Sequence, residues 1–138
     1  MKKFNLKILA ADHIFYTGVS EYVALPTTNG EIGIMANHCN LVAAIVPGIL
    51  RHKLDGNQFI ASVSDGIVKV ENGEVMVLVS TIETADEIDE EYQRRQIEEL
   101  NEQMQQQQSI KDYYLSKAKL ARSLARLKTK NYANKTNI

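Results

Sequence analysis

"ENGEVMVLVSTIETADEIDEEYQRRQIEEL" (71–100) opens on an Asn-Gly turn, crosses an apolar run and ends in Glu, Gln, Arg and Leu. Gly73 is the last glycine; all 7 glycines and both prolines lie at or before it. Glycine and proline punctuate turns, so their loss marks the end of a turn-rich region. From Asp86 onward the strong helix formers dominate. The stretch therefore predicts an all-β region over 1–85 and a helical region over 86–138.

Upstream, turn signals recur at Asn29-Gly30, Asp55-Gly56, Asp65-Gly66 and Asn72-Gly73. Asx-Gly pairs supply positive φ at little cost and favour tight hairpins. Between them lie strand-like runs at 4–10, 20–26, 48–54, 58–64, 66–70 and 74–80. Phe4, Leu6 and Ile8 alternate with Asn5 and Lys7, the period of a half-buried strand. Turns spaced roughly 8–12 residues apart predict an antiparallel sandwich or flattened barrel. There is no internal repeat and no βαβ alternation.

Downstream, the residues predict a helical hairpin. The segment 85–107 begins with acids at 86, 87, 89, 90 and 91, which suit a helix N-terminus. Apolar spacing lapses over 105–112, where Ser109 and Asp112 offer a fresh cap. A second helix is predicted over 110–130, with a frayed tail after Lys130. Tyr113, Leu120, Leu124 and Leu127 form its apolar stripe, and Ala118, Ala121 and Ala125 flank it, allowing close helix approach. Charge divides the two helices. Residues 86–110 carry eight acids against Arg94 and Arg95, a net −6; residues 111–138 carry eight bases against Asp112, a net +7. Folded together they attract, and the basic helix can equally leave for another acidic surface.

The whole chain has 138 residues and a net charge of −1, so no global charge points to nucleic acid or a membrane surface. Its longest apolar run, 41–50, is about half of what a spanning helix requires. Asn5, Lys7 and Asp12 interrupt any export core. The single cysteine excludes an internal disulfide and suits a reducing compartment. A soluble intracellular protein is expected.

No catalytic set emerges. His38 and Cys39 are adjacent, but nothing nearby supplies an orienting third group. The histidines at 13, 38 and 52 lack metal-ligand spacing, and no G-x-x-x-x-G-K-[ST] loop occurs. The chain is expected to catalyse nothing and to need no metal or cofactor.

The stretch "ALPTTNGEIGIMANHCNLVAAIVPGILR" (24–51) resembles the epsilon subunit of bacterial F-type ATP synthases. The family pattern is approximately L-P-T-x-D-G-E-[LI]-G-[IV]-L-P-G-H-x-P-L-x-x-x-[LI]-x-P-G-x-[LIV]-R. Leu25, Pro26, Thr27, Gly30, Glu31, Ile32, Gly33, Ile34, His38, Leu41, Pro47, Gly48, Leu50 and Arg51 match it. Met35-Ala36-Asn37 stands where the family has Leu-Pro-Gly, and Cys39 where Ala is frequent. "VSDGIVKV" (63–70) and "TADEID" (84–89) extend the likeness along the chain.

The resemblance implies a β-sandwich of about ten strands followed by an α-helical hairpin. It implies a rotor part without catalytic residues, partnered by the gamma subunit, the c-subunit ring and the catalytic alpha and beta subunits. Such a part sits peripherally on the cytoplasmic face of the cell membrane, without direct membrane insertion. Gly30, Glu31 and Gly33 are implied to face the c ring, and His38 to face gamma. The second helix, with Arg122, Arg126, Lys128 and Lys130, is implied to inhibit ATP hydrolysis. Some family members bind regulatory ATP through [IL]-D-x-x-R-A plus arginines on the second helix. Ile88, Asp89, Arg122 and Arg126 match, but Tyr92 and Gln93 replace the motif's Arg and Ala. Without that cation, and beside Glu90 and Glu91, weak or absent ATP binding is expected. The residues alone also allow an alternative: a ligand- or protein-binding sandwich with a helical dimerisation hairpin.

Overall fold

The computed structural model describes residues 2–106 and 110–136. Ten strands come first: β1 (Phe4–Ala10), β2 (Ile14–Ser20), β3 (Tyr22–Thr27), β4 (Gly30–Ile34), β5 (Leu41–Ile45), β6 (Gly48–Leu54), β7 (Asn57–Val63), β8 (Gly66–Glu71), β9 (Glu74–Val79) and β10 (Ile82–Thr84). A 3-10 turn (Ala85–Glu87) leads to α1 (Glu90–Gln106) and α2 (Ile110–Thr136). The expected all-β region and helical hairpin are both present.

The strands follow the order β10-β7-β6-β3-β5-β8-β9-β1-β2, with β4 attached to β3. All pairings are antiparallel except β1 with β9. Only Thr27 and Ile45 pair between β3 and β5, so the sheet folds there into two layers. Inward positions alternate along β1, β8 and β9, as in Glu74–Val79, where Val75, Val77 and Val79 are buried. They meet Phe4, Leu6, Ile8, Val23, Leu25, Ile34, Leu50 and Val68 in one core. Each such aliphatic contributes about 1.5–3 kcal/mol by leaving water.

Two predicted turns are tight hairpins with the expected backbone: Asp55-Gly56 (φ 51 and 82) and Asn72-Gly73 (φ 52 and 80). Asp65-Gly66 is not a hairpin. β7 pairs with β6 and β10 while β8 pairs with β5 and β9, so this pair crosses between layers. The run expected over 20–26 is broken at Glu21, where buried Ser20 bonds the carbonyls of Tyr22 and Lys53, both at 3.0 Å.

The helices depart from expectation in two ways. The tail expected to fray after Lys130 remains helical to Thr136. Its reason is tertiary: Lys130 Nζ donates to the Ala85 carbonyl at 3.3 Å, Gln58 Nε2 donates to the Tyr132 hydroxyl at 3.1 Å, and Ala133 is buried. The stripe of Tyr113, Leu120, Leu124 and Leu127 is not the buried face. Tyr113 is 39% exposed and Leu124 49%, whereas Ser116, Ser123, Ala125, Thr129 and Ala133 are buried. α2 serves two neighbours, α1 and the sheet of β6 and β7, and close approach to both selects small residues over leucines. Ala125 lies in that seam, while Ala118 and Ala121 remain exposed. The buried Thr129 hydroxyl is satisfied by the Ala125 carbonyl at 2.9 Å. Ser109, read as a cap, lies outside the described residues. Among those residues, no ion pair joins α1 to α2.

Candidate functional site

β4 is an edge strand paired only with β3, and it places the sequence-derived candidates at its two ends. At one end, Thr27 Oγ1 donates to the Gly30 carbonyl at 2.5 Å and accepts from Asn29 N at 3.3 Å, closing the β3–β4 turn. Ile32 and Ile34 point toward the core, so Glu31 and Gly33 face outward, and Gly30 is exposed at the turn. A Cβ on Gly33 would lie 2.7 Å from the Tyr22 hydroxyl, so only glycine lets that ring lie flat on the strand. Glu31 is bonded by Arg51 from β6.

At the other end of β4, about 13 Å away, the loop 35–40 carries His38. Asn37 takes φ 65 where the family pattern has glycine; Asn tolerates this left-handed region. His38 Nδ1 lies 2.7 Å from the Cys39 carbonyl and 3.9 Å from Cys39 Sγ. That arrangement closes a local turn and aligns no base with a nucleophile. Among the described residues, no group of three or more His, Cys, Asp or Glu could hold a metal ion. His52, 3% exposed, packs between Tyr16 and Phe59 at ring separations of 4.7 and 4.9 Å, and burial pushes its imidazole below the ordinary value.

The loop bearing His38 runs into a surface not foreseen from the sequence. Cross-strand partners Ala44, Ile67, Leu78, Leu9 and Ile14 form one row across β5, β8, β9, β1 and β2. Val42 and Met76 stand in the next row with Lys69, Lys7 and Thr17 between and beside them. Ile14 and Val42 are 63% and 67% exposed, and Ile67, Met76 and Leu78 are exposed too. A contiguous apolar patch on a sheet face marks a contact with another molecule. Its signal was the apolar content of "EVMVLV" and "LVAAI" at both parities, which belongs to strands covered on both sides.

The basic residues of α2 divide by role. Arg126 Nε donates to Glu83 of β10 at 2.6 Å, both side chains about three-quarters buried, and Lys130 reaches the turn after β10. Lys128 lines a cleft of about 690 Å³ between α2 and the β3–β4 turn, together with Pro26, Glu31, Arg51 and Tyr132. Arg122 and Lys128 form no ion pair among the described residues.

Of the nucleotide candidates, Ile88 is buried, and Asp89 Oδ1 accepts from Tyr92 N at 3.1 Å, capping α1. Gln93, in place of the motif's Ala, is buried with its Oε1 unpartnered among the described residues. Arg94 is held by Glu90 at 2.9 Å. The structure thus brings together Glu31 with Lys128, and Arg126 with Lys130, but leaves His38 at the far end of β4.

Residues 3–85 match the family described as ATP synthase, Delta/Epsilon chain, beta-sandwich domain. The ATP synthase epsilon chain of Ruminococcus albus is 36% identical over 132 residues, covering 95% of this chain and 98% of that one. The epsilon chain of Caldanaerobacter subterraneus is 35% identical over 128 residues, covering 92% and 93%. In solved structures, a chain of the Euglena gracilis mitochondrial ATP synthase OSCP/F1/c-ring assembly shares the fold. Its TM-score is 0.80 at 21% identity, with 96% of this chain and 81% of that one covered. A chain of the Tetrahymena thermophila central stalk/c-ring shares it at TM-score 0.62 and 11% identity, covering 91% and 95%. A matched sandwich and near-complete coverage of epsilon chains replace the generic binding-module alternative, and this chain belongs to the ATP synthase epsilon chain family.

Proposed function

We propose that the chain is a non-catalytic rotor subunit of an F-type ATP synthase. Its sandwich joins gamma to the c ring and passes ion-driven rotation to the head that makes ATP. Its C-terminal helices restrain ATP hydrolysis. The observation that carries the docking part is the exposed apolar row Ala44, Ile67, Leu78, Leu9 and Ile14, an area of sheet suited to a protein partner. Gamma is the partner assigned to it, with His38 at its margin, because the His38 loop continues into Val42 and Ala44 of β5.

The c ring is assigned to Gly30 and Glu31, at the opposite end of β4, and to Gly33 on the outward face of the same strand. Separate ends give the sandwich two surfaces, one for each neighbour. None of the described helices is long and apolar enough to cross a membrane, which fits peripheral attachment through the ring at the cytoplasmic face.

The restraint on hydrolysis is assigned to α2, where Arg122, Arg126, Lys128 and Lys130 can meet acidic groups of the catalytic subunits once the helix leaves the sandwich. ATP binding by the hairpin is weak or absent in this reading. Arg126 is already matched by Glu83, Arg94 by Glu90, and Asp89 is spent as a helix cap.

A pull-down with purified gamma tests the docking part. Leu78→Glu puts a charge in the middle of the apolar row and is expected to weaken gamma binding at least about tenfold, with the fold retained by circular dichroism. Undiminished binding by that variant removes the sheet face from the interface.

A further inference from the structure

Glu31 does more than project from a turn. Arg51 bonds it from β6 and lines one cleft with Tyr132 of α2, whose hydroxyl accepts from Gln58 Nε2 at 3.1 Å. An exposed turn and the last turns of α2, far apart in sequence, thereby meet at the cleft that holds this guanidinium. Arg51 has three-quarters of its side chain buried and lies in the cleft of about 690 Å³ that separates the two elements.

Charge gives this connection a direction. Of the residues lining the cleft, Arg51 and Lys128 are cationic and Glu31 is the sole acid. Lys128 belongs to α2, whose region carries a net +7 over 111–138. With Glu31 in place, Arg51 is neutralised where α2 must approach. With Glu31 withdrawn, Arg51 and Lys128 face each other across the cleft as like charges, and α2 is disfavoured there.

We propose that Glu31, Arg51 and Tyr132 form a relay in which a basic group of a partner, by capturing Glu31 at the β3–β4 turn, loosens the C-terminal turns of α2. The relation is reciprocal: a docked α2 places Tyr132 in the cleft with Arg51, and Arg51 in turn holds the carboxylate of the turn. The size is set by one partly exposed ion pair, so the relay biases an equilibrium between docked and loosened helix and does not act as a switch by itself. Its use as a signal from the c ring rests on the reading that Glu31 faces the ring; the intramolecular coupling does not.

Hydrogen exchange on the isolated full-length chain tests the coupling. Glu31→Gln is expected to speed exchange of amides 126–134 about two- to fivefold, with amides 66–79 unchanged as a check on the sandwich. Tyr132→Phe is expected to speed exchange at 30–33. The double variant is expected to show less than the product of the two effects, because both break one relay. Changes confined to the element that carries each substitution, or effects that simply multiply, overturn the proposal. A positive result alongside failure of Glu31 to cross-link to the ring would remove the docking assignment and leave the relay standing.

Discussion

The sandwich and the hairpin are held together by different chemistry. In the sandwich, Phe4, Leu6, Ile8, Val23, Leu25, Ile34, Leu50, Val68 and Val77 meet in a core of large aliphatics and one aromatic. In the helices the buried side chains are mostly small or polar: Gln93, Ser116, Ser123, Ala125, Thr129 and Ala133, with Leu100 the largest aliphatic. Small side chains remove little apolar area from water, so the helices gain little from burial and depend on the few polar links near β10 and Tyr132. The sandwich rests on a large apolar core, and the hairpin rests on far less apolar burial.

α2, at about 40 Å, is longer than α1 at about 25 Å. Its final turns therefore extend beyond α1 and reach the sheet, where Arg126, Lys130 and Tyr132 make their bonds. The polar links of the hairpin to the sandwich are therefore gathered at one end.

The largest effect expected is in the sandwich. Leu25→Ala should lower the stability of the whole chain by about 2–5 kcal/mol in urea unfolding. No substitution of a polar link on α2 should come near that value; a loss of similar size from one would erase the contrast between the two regions.

Arg126→Ala comes next. It breaks the pair with Glu83 at 2.6 Å, and the hairpin should loosen by about 1 kcal/mol, near fivefold, read as faster hydrogen exchange over 126–134. The urea midpoint of the sandwich should barely move. If the midpoint fell with the exchange protection, sandwich and hairpin would be one cooperative unit.

The smallest effect is on pH dependence. Burial disfavours the charged form of His52, so its pKa in the folded chain lies below the ordinary value near 6.5. As pH falls below about 6.5 the unfolded chain takes up a proton that the folded chain refuses, and stability declines down to the folded pKa. Above that range the group contributes no slope. His52→Phe, between Tyr16 and Phe59, should flatten the curve in that window, and an unchanged slope would assign it to another group.

Much of the architecture was legible in residues near one another. Alternation in "FNLKILA", the Asn72-Gly73 turn and the disappearance of glycine after it depend on local backbone preferences, and the strands and helices follow them. Most of what the sequence hid traces to distance along the chain. The end of α2 looked frayed because Gln58, the residue that holds Tyr132, lies 74 positions away. Leu124 looked buried because a helical wheel supplies one apolar face, whereas α2 answers to two neighbours. The family pattern implies a c-ring contact for Glu31, but its pairing with Arg51, 20 positions on, leaves no local signal. The apolar face of β5, β8 and β9 was visible as runs without alternation and was read only as strand.

The most direct test of the division between body and removable part is ATP hydrolysis by the assembled enzyme with and without residues 88–138. Removing them should raise hydrolysis while the remaining sandwich still sustains ATP synthesis. Hydrolysis unchanged by the deletion, or synthesis lost along with the helices, would contradict the account.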